Sequence, residues 1–502
     1  MTTGNLVSTF FARQADVPTK PAILWEGESV CTFGELPERV GQMRAALAHL
    51  GVRRGDRVMV KTGNSPNFIF TYLAVLASGA IFVPMNAAYT AAEVALLVED
   101  AEPALLIHDA ETAVPPKGSD AVARITLNMD GSGALPDLAA GQQPDFGVEP
   151  MALSDLAVML FTSGTTGRPK GAMLTHGNLL SNVEALYETW RFSREDEILH
   201  CLPLFHAHGL FVCLHLGLYS AASLHMLPKF DAARVIAELG KVSVFMGVPT
   251  FYTRLLESPE FTKDATSSIR LFISGSAPLL PSVFSAFEAR TGHRILERYG
   301  MTETAMITSN PYEQVGRIPG TVGFPLPGVT VRIVDADRRE LPAGEVGEIE
   351  MAGPNLCAGY WRRPEATAES FYADGFFRTG DTGFKDAEGR VTIAGRSKDL
   401  IISGGYNVYP AEIEMLLADV PGVQDVAVFG VPHPDFGEAV MAAITTEGTA
   451  FDMAAMQTVI AERLAKFKQP KQVFVLDAFP RNAMGKILKN ELRGRYRDSF
   501  AR

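Results

Sequence analysis

In FTSGTTGRPKGAMLTHGN, residues 161–178, glycines and hydroxyl residues crowd together with an arginine and a lysine. That composition suits a loop that wraps phosphates with backbone N–H groups, hydroxyls and a cation. It is not a Walker loop, which needs G-x-x-x-x-G-K-[ST] and a helix starting at the lysine. Gly164 and Gly167 are too close, and Gly171 follows Lys170. LAVMLFTSG and KGAMLTH read as two strands, so the loop joins strands and no helix dipole faces the phosphate. The donors are then backbone N–H groups such as that of Gly164, the hydroxyls of Thr162, Ser163, Thr165 and Thr166, and Lys170. A mobile Gly/Ser linker is the plainer reading, but such linkers rarely carry RPK between two apolar strands.

The 502 residues are 47% hydrophobic and 20% charged, an ordinary globular composition for two or more domains. The formal charge of −12, with no Lys/Arg block, argues against a nucleic-acid partner. Anionic substrates must be captured by locally placed cations and N–H groups. Cys31, Cys201, Cys213 and Cys357 form no CxxC pair and read as buried thiols of a reducing compartment. The N-terminus lacks a basic start followed by an apolar run, so no secretory signal is expected; an organellar presequence would have Arg13 as its only early basic residue, and a cytoplasmic location is the expectation. Residues 68–86, FIFTYLAVLASGAIFVPMN, carry no charge and could span a bilayer by length. Gly79 and Pro84 interrupt the run, so it reads as helix, turn and strand in a buried core, with no membrane partner.

Outward from the loop, amphipathic helices such as ELPERVGQMRAALAHLG precede short apolar strands such as RVMVKTG. This alternation predicts α/β layers with largely parallel sheets. NLLSNVEALYETW reads as a helix capped by Asn178. Residues 331–353, strands broken by Asp, Pro and Gly turns, predict an antiparallel, β-barrel-like segment. After VTIAGRSKDLIISGG the pattern becomes a compact α+β unit: a helix after Pro410, two strands, a helix to Phe467, a strand, and a last helix from Lys486. The expected division is 1–395, a hinge at 396–398, and a small mobile unit over 399–502.

The loop resembles the phosphate loop of the acyl-adenylate-forming enzymes. Further motifs of that superfamily follow in order: PLFHAHG, SGSAPL, ERYGMTET, RTGD, GRSKDLIISGGYNVYPAEIE and RNAMGKILKNEL. The resemblance spans nearly the whole chain. It implies a two-step reaction with ATP, Mg2+ and CoA, in which a carboxylate displaces pyrophosphate and a thiol then displaces AMP. By resemblance, Lys486 bridges carboxylate and phosphate, Thr302 bonds the α-phosphate, and Glu303 holds the metal with Thr162. Gly275, Ser276, Ala277 and Pro278 form a wall beside adenine, and Tyr299 stacks on its other face. Glu297, Arg298, Gly300 and Met301 complete the nucleotide side. Asp381 accepts from the ribose hydroxyls, supported by Arg396. Lys398 marks the hinge, and Ser403, Gly404, Gly405 and Tyr406 line the thiol channel. No carrier-type GxxS unit follows the Lys486 segment, so free CoA is the expected acceptor.

The acid is a separate question. PLFHAHG supplies His206, expected where the acyl group enters, and His208, which reads equally well as a core histidine. In MGVPTFYTRLL, a helix after Pro249 puts Thr250 and Arg254 on one face. An inward Arg254 would suit a second carboxylate, held as a bidentate fork. Together with SGSAPL and RYGMTETAM this pattern resembles malonyl-CoA synthetases. The resemblance implies an Arg254–Ser276 pair for the distal carboxylate, with Ala207 and Met306 beside the C2 substituent. Methylmalonate is then a second candidate substrate. A buried, unpaired Arg254 would cost roughly 3–5 kcal/mol, a hundredfold to a few thousandfold against a monocarboxylate. A fatty or aryl acid ligase, a carrier-loading adenylation domain and a non-catalytic nucleotide binder are the alternatives. Retention of Glu303, Asp381, Arg396 and Lys486 argues against the last.

Overall fold

The structure, a computed structural model, describes residues 4–112, 114, 122–162, 169–403, 406–446, 451–482 and 485–500. Two large sheets carry the first part of the chain. One runs, in spatial order, Ala123–Thr126, Leu105–His108, Arg57–Lys61, Ile81–Pro84, Leu156–Thr162 and Lys170–Thr175. Its strands are parallel except the last pair, whose antiparallel register sets Thr162 opposite Lys170. The stretch between Thr162 and Lys170 therefore joins two strands, as its sequence predicts.

The second sheet has nine strands. Its parallel centre is Ser223–Met226, Glu197–His200, Val244–Gly247, Leu271–Ser274 and Leu296–Met301. Antiparallel strands Ala305–Ser309 and Phe324–Pro325 extend one edge. SGSAPL follows the C-terminal end of Leu271–Ser274, and the ERYGM string is the next strand over. Open α/β sheets bind ligands at these carboxyl ends.

The charge-free run 68–86 is the middle of the core. Ser65 caps the helix Pro66–Ala77, with Pro66 in its first turn. Every residue from Phe68 to Ala77 is buried, and Ile81–Pro84 is a buried strand. The helix lacks charge because all its faces meet protein. Among the described residues no helix is long and apolar enough to cross a membrane.

A four-stranded antiparallel sheet, Thr330–Val334, Gly347–Ala352, Phe377–Lys385 and Val391–Arg396, follows. It is the antiparallel segment expected from the Asp, Pro and Gly turns. A tight turn at Ser397–Asp399 then leads into the last sheet, built on Val423–His433 and Gly437–Thr446. Helices Pro410–Ala418 and Met453–Arg463 cover its core.

Three local expectations are corrected. Thr175, not Asn178, caps the helix His176–Thr189; Asn178 completes a capping box with it. The helix expected to reach Phe467 stops at Arg463, because Leu464 turns extended. The last helix starts at Lys489, which leaves Lys486 in the preceding loop.

Three core histidines make the fold acid-sensitive. Burial lowers His176 and His200 from 6.5 to about 4, and His215 to about 3. The unfolded chain binds these protons first, so stability is full above about pH 6.5 and falls as pH drops toward 4. The thermal midpoint is expected to fall steeply between pH 7.5 and pH 5. A midpoint that stays flat across that interval contradicts the assignment.

Candidate active site

The nucleotide side is built at the junction of the second sheet and the four-stranded sheet. Asp381 is buried in the strand Phe377–Lys385. Its Oδ1 pairs with Arg396 Nε at 2.7 Å, and its Oδ2 accepts from the Tyr299 hydroxyl. Antiparallel register sets Asp381 directly opposite Arg396. Burial raises the Asp381 carboxyl, and the Arg396 charge opposes that rise. Gly300 sits where a Cβ would lie 1.9 Å from the Ala305 carbonyl, so only glycine lets the ERYGMTET turn close.

Lys486 reaches the same place from the small unit. Its loop is closed by a bridge between Arg481 and Ile487, and Lys486 N–H donates to Asn482 Oδ1 at 3.0 Å. The side chain is exposed, yet protein on the cleft side desolvates its ammonium and lowers it; Arg396 lowers it further, while Asp381 and Asp399 oppose this. A Cβ on Gly485 would lie 3.7 Å from Thr250 Oγ1. The loop thus faces the first turn of the helix Pro249–Glu257.

Glu303 is buried, and burial raises its carboxyl. The Tyr360 hydroxyl donates to Glu303 Oε1 at 2.9 Å. Among the described residues no cation lies within ion-pair distance of Glu303. A buried carboxylate left so is costly without a cation. Magnesium bound to phosphates needs only one or two carboxylates, so the residue fits that ion. No group of three or more ligating side chains occurs among the described residues, so a resident metal held by protein alone has no such cluster there. Thr302 adjoins Glu303 in the same turn. Thr162 Oγ1 donates to the Lys170 carbonyl at 3.3 Å across the loop base. Ser163, Gly164, Thr165 and Thr166 lie outside the described residues, as do Gly404 and Gly405.

The acid side is where the structure departs most from expectation. Arg254 is exposed on its helix, one turn beyond Thr250, and makes no ion pair or hydrogen bond among the described residues. Arg254 is therefore not the buried, unpaired cation expected there. A buried arginine with unpartnered donors is found instead at Arg298, expected from the sequence on the nucleotide side. Arg298 is 4% exposed, and its Nε and Nη2 are buried with no hydrogen-bond partner. Its guanidinium lies under Gly275, where a Cβ would come within 2.3 Å of Cζ.

Around Arg298 stand His206, His208 and Ser276. Burial and the Arg298 charge hold His206 at about 4 and push His208 well down, so both are neutral near pH 7. His208 Nδ1 lies 3.4 Å from Ser276 Oγ, and its Nε2 is buried without a partner. Ser276 holds a left-handed φ of 71°, uncommon for a residue with a side chain. His208 through Leu214 form a π-helix, an irregularity common at functional sites. Ala207 and Met306 are buried, with the Met306 carbonyl pinned by Asn355 Nδ2 at 2.7 Å. Ala277 and Pro278 continue the strand end at the surface. Glu297 Oε1 accepts from Leu279 N–H at 2.9 Å, tying its strand to SGSAPL, and its Oε2 is buried without a partner.

Ser403 is buried, whereas Tyr406 is 59% exposed and stacks on Phe467 at 4.6 Å. Lys398 is exposed in its turn, and neighbouring Asp399 accepts from Arg493 at 2.7 Å.

The chain belongs to the AMP-binding enzyme family, whose model matches residues 10–361; the AMP-binding enzyme C-terminal domain matches 412–486. ATP-bound MatB from Rhodopseudomonas palustris is 45% identical, over 99% of this chain and 100% of that one, with a TM-score of 0.95. Apo MatB from the same organism superposes at 0.85. The present arrangement is therefore nearer the ATP-bound one, in keeping with Lys486 beside Asp381 and Arg396. The malonate–CoA ligase of Arabidopsis thaliana is 36% identical over 90% of this chain and 80% of its own. A feruloyl-CoA synthase of an Amycolatopsis species is 37% identical over 96% and 98%.

Proposed function

We propose that the chain is an ATP-dependent malonate–CoA ligase. One malonate carboxylate attacks the α-phosphorus of ATP and pyrophosphate leaves; the CoA thiol then attacks the acyl carbon of malonyl-AMP and AMP leaves. The observation that carries the choice of acid is the buried, unpaired guanidinium of Arg298 beside neutral His206, His208 and Ser276. A buried cation with unmet donors is what a second carboxylate satisfies. The malonate–CoA ligase relative supports the same acid.

The other roles follow from position. The first step brings an anion to a polyanion, so neutralising charge is the main task. Lys486 sits between the two charges, with its ammonium in the cleft that Asp381 and Arg396 wall. Asp381 and Arg396 take the ribose, Tyr299 and residues 275–278 the adenine, and Thr302 the α-phosphate. Glu303 and Thr162 would hold Mg2+, which supplies positive charge to the phosphates when bound. Lys170 and the loop before it take the leaving pyrophosphate. His206 stands at the acyl entrance, with Ala207 and Met306 flanking C2. Methylmalonate is the second acid we propose, because a single methyl decides only about 1–3 kcal/mol. For the second step the small unit turns about 396–398 and brings 403–406 to the cleft with CoA. We place the chain in the cytoplasm, on its reduced thiols and acidic composition.

The feruloyl-CoA synthase relative favours a second reading, an aryl acid. Pyrophosphate release across malonate, methylmalonate, acetate, propionate and ferulate separates the two. Malonate turnover well above ferulate supports the proposal; the reverse order replaces it. In the same assay Arg254→Ala is expected to raise the malonate KM by less than about tenfold, because an exposed cation contributes little. A hundredfold rise would show that Arg254 folds inward over the acid.

A further inference from the structure

Tyr360 lies outside every motif that marks the site, yet it touches two of its charged groups. The segment 357–361 runs along the strand that leaves the phosphate loop. Met173 N–H donates to the Gly359 carbonyl at 2.9 Å, Ala358 N–H to the Met173 carbonyl at 2.8 Å, and Trp361 N–H to the Gly171 carbonyl at 2.8 Å. At its other end, Cys357 N–H donates to the Glu303 carbonyl at 2.8 Å. One short segment thus ties the loop strand to the turn that carries Glu303.

The Tyr360 side chain repeats that link. Its hydroxyl donates to Glu303 Oε1 at 2.9 Å, and the Lys170 ammonium lies 5.2 Å from its ring centroid. The ring is 7% exposed and packs edge-on against Phe371. Tyr360 N–H donates to Thr367 Oγ1 at 3.0 Å, so the backbone is held independently of the side chain.

We propose that Tyr360 is a positioning residue for adenylation: its hydroxyl fixes the Glu303 carboxylate for the phosphate-bound metal, and its ring seats the Lys170 ammonium at the loop exit. The inference rests on the proposed use of Mg2+ and ATP. Outer partners of a metal-binding carboxylate commonly govern metal affinity by about 10–100-fold. A cation over an aromatic face adds a separate, weaker attraction that does not depend on the hydroxyl.

Two variants separate the parts. Tyr360→Phe removes the hydroxyl and keeps the ring; Tyr360→Leu removes both. The readout is calorimetric binding of a non-hydrolysable ATP analogue over a Mg2+ series, with no turnover. For Tyr360→Phe we expect the Mg2+ needed for half-maximal tightening to rise about tenfold, with metal-free binding unchanged. For Tyr360→Leu we expect metal-free binding to weaken as well. A Tyr360→Phe protein that matches a Mg2+-responsive parent overturns the inference alone. Equal losses of metal-free and metal-dependent binding in Tyr360→Phe also overturn it, since they indicate packing only. A parent whose nucleotide binding ignores Mg2+ overturns both the inference and the adenylation reading beneath it.

Discussion

Lys486→Ala is expected to slow adenylate formation by about 10²–10³-fold or more, while thioester formation from preformed malonyl-AMP stays near the parental rate. The lysine stands in a loop closed by the Arg481–Ile487 bridge, before the helix Lys489–Tyr496. Gly485, immediately before the lysine, takes a left-handed φ of 75° that favours glycine. The charged neighbours of Lys486 include Asp381 and Arg396, proposed above to hold the ribose. In the function proposed above, the Lys486 charge would meet the α-phosphate and the incoming carboxylate. On the same proposal, the small unit turns away for the second half-reaction and takes Lys486 out of the chemistry. Burst measurement of pyrophosphate, paired with CoA consumption from synthetic adenylate, reads the two halves separately. Equal loss in both contradicts the division of labour.

The second large effect is expected at Arg298. Arg298→Met keeps most of the volume and removes the charge. The kcat/KM for malonate is expected to fall by about 10²–10³-fold, because the distal carboxylate would be left desolvated without its cation, a cost of roughly 3–5 kcal/mol. Short monocarboxylates should lose little or gain. The contrast with Arg254 is the informative part, since the two arginines differ in burial: Arg298 is 4% exposed, and Arg254 lies open on its helix. A parallel thermal scan guards against misfolding. If Arg298→Met stays folded and loses malonate and propionate activity in the same ratio, Arg298 supports the sheet end and does not read the acid.

These residues show where sequence suffices and where it stops. The strand–loop–strand around Thr162 and Lys170 was legible because a Walker loop demands a helix that the sequence lacks. The Asp381–Arg396 pair was legible through its motifs, and antiparallel register now supplies its geometry. The charge-free run 68–86 was legible because Gly79 and Pro84 broke it. Arg298 was not. It sits in the strand Leu296–Met301 between Glu297 and Tyr299, and alternation along a strand does not say which ligand lies beyond which face. Arg254 misled for the opposite reason: helical spacing put it on the face of Thr250 correctly, but spacing carries no burial. Tyr360 left no signal, since its partner Glu303 is 57 positions away in sequence and the contact forms only on folding. Asn178 shows a finer limit. Thr175 and Asn178 both suit a cap, and the choice depended on where the strand Lys170–Thr175 ends.

The central claim is that this site joins malonate to CoA through an adenylate. Mass spectrometry of the reaction of ATP, Mg2+ and CoA with malonate, methylmalonate, propionate and ferulate in competition tests it most directly. The account predicts malonyl-CoA and AMP as the main products, methylmalonyl-CoA next, and malonyl-AMP when CoA is withheld. Feruloyl-CoA or propionyl-CoA as the main product, or ADP in place of AMP, would contradict it.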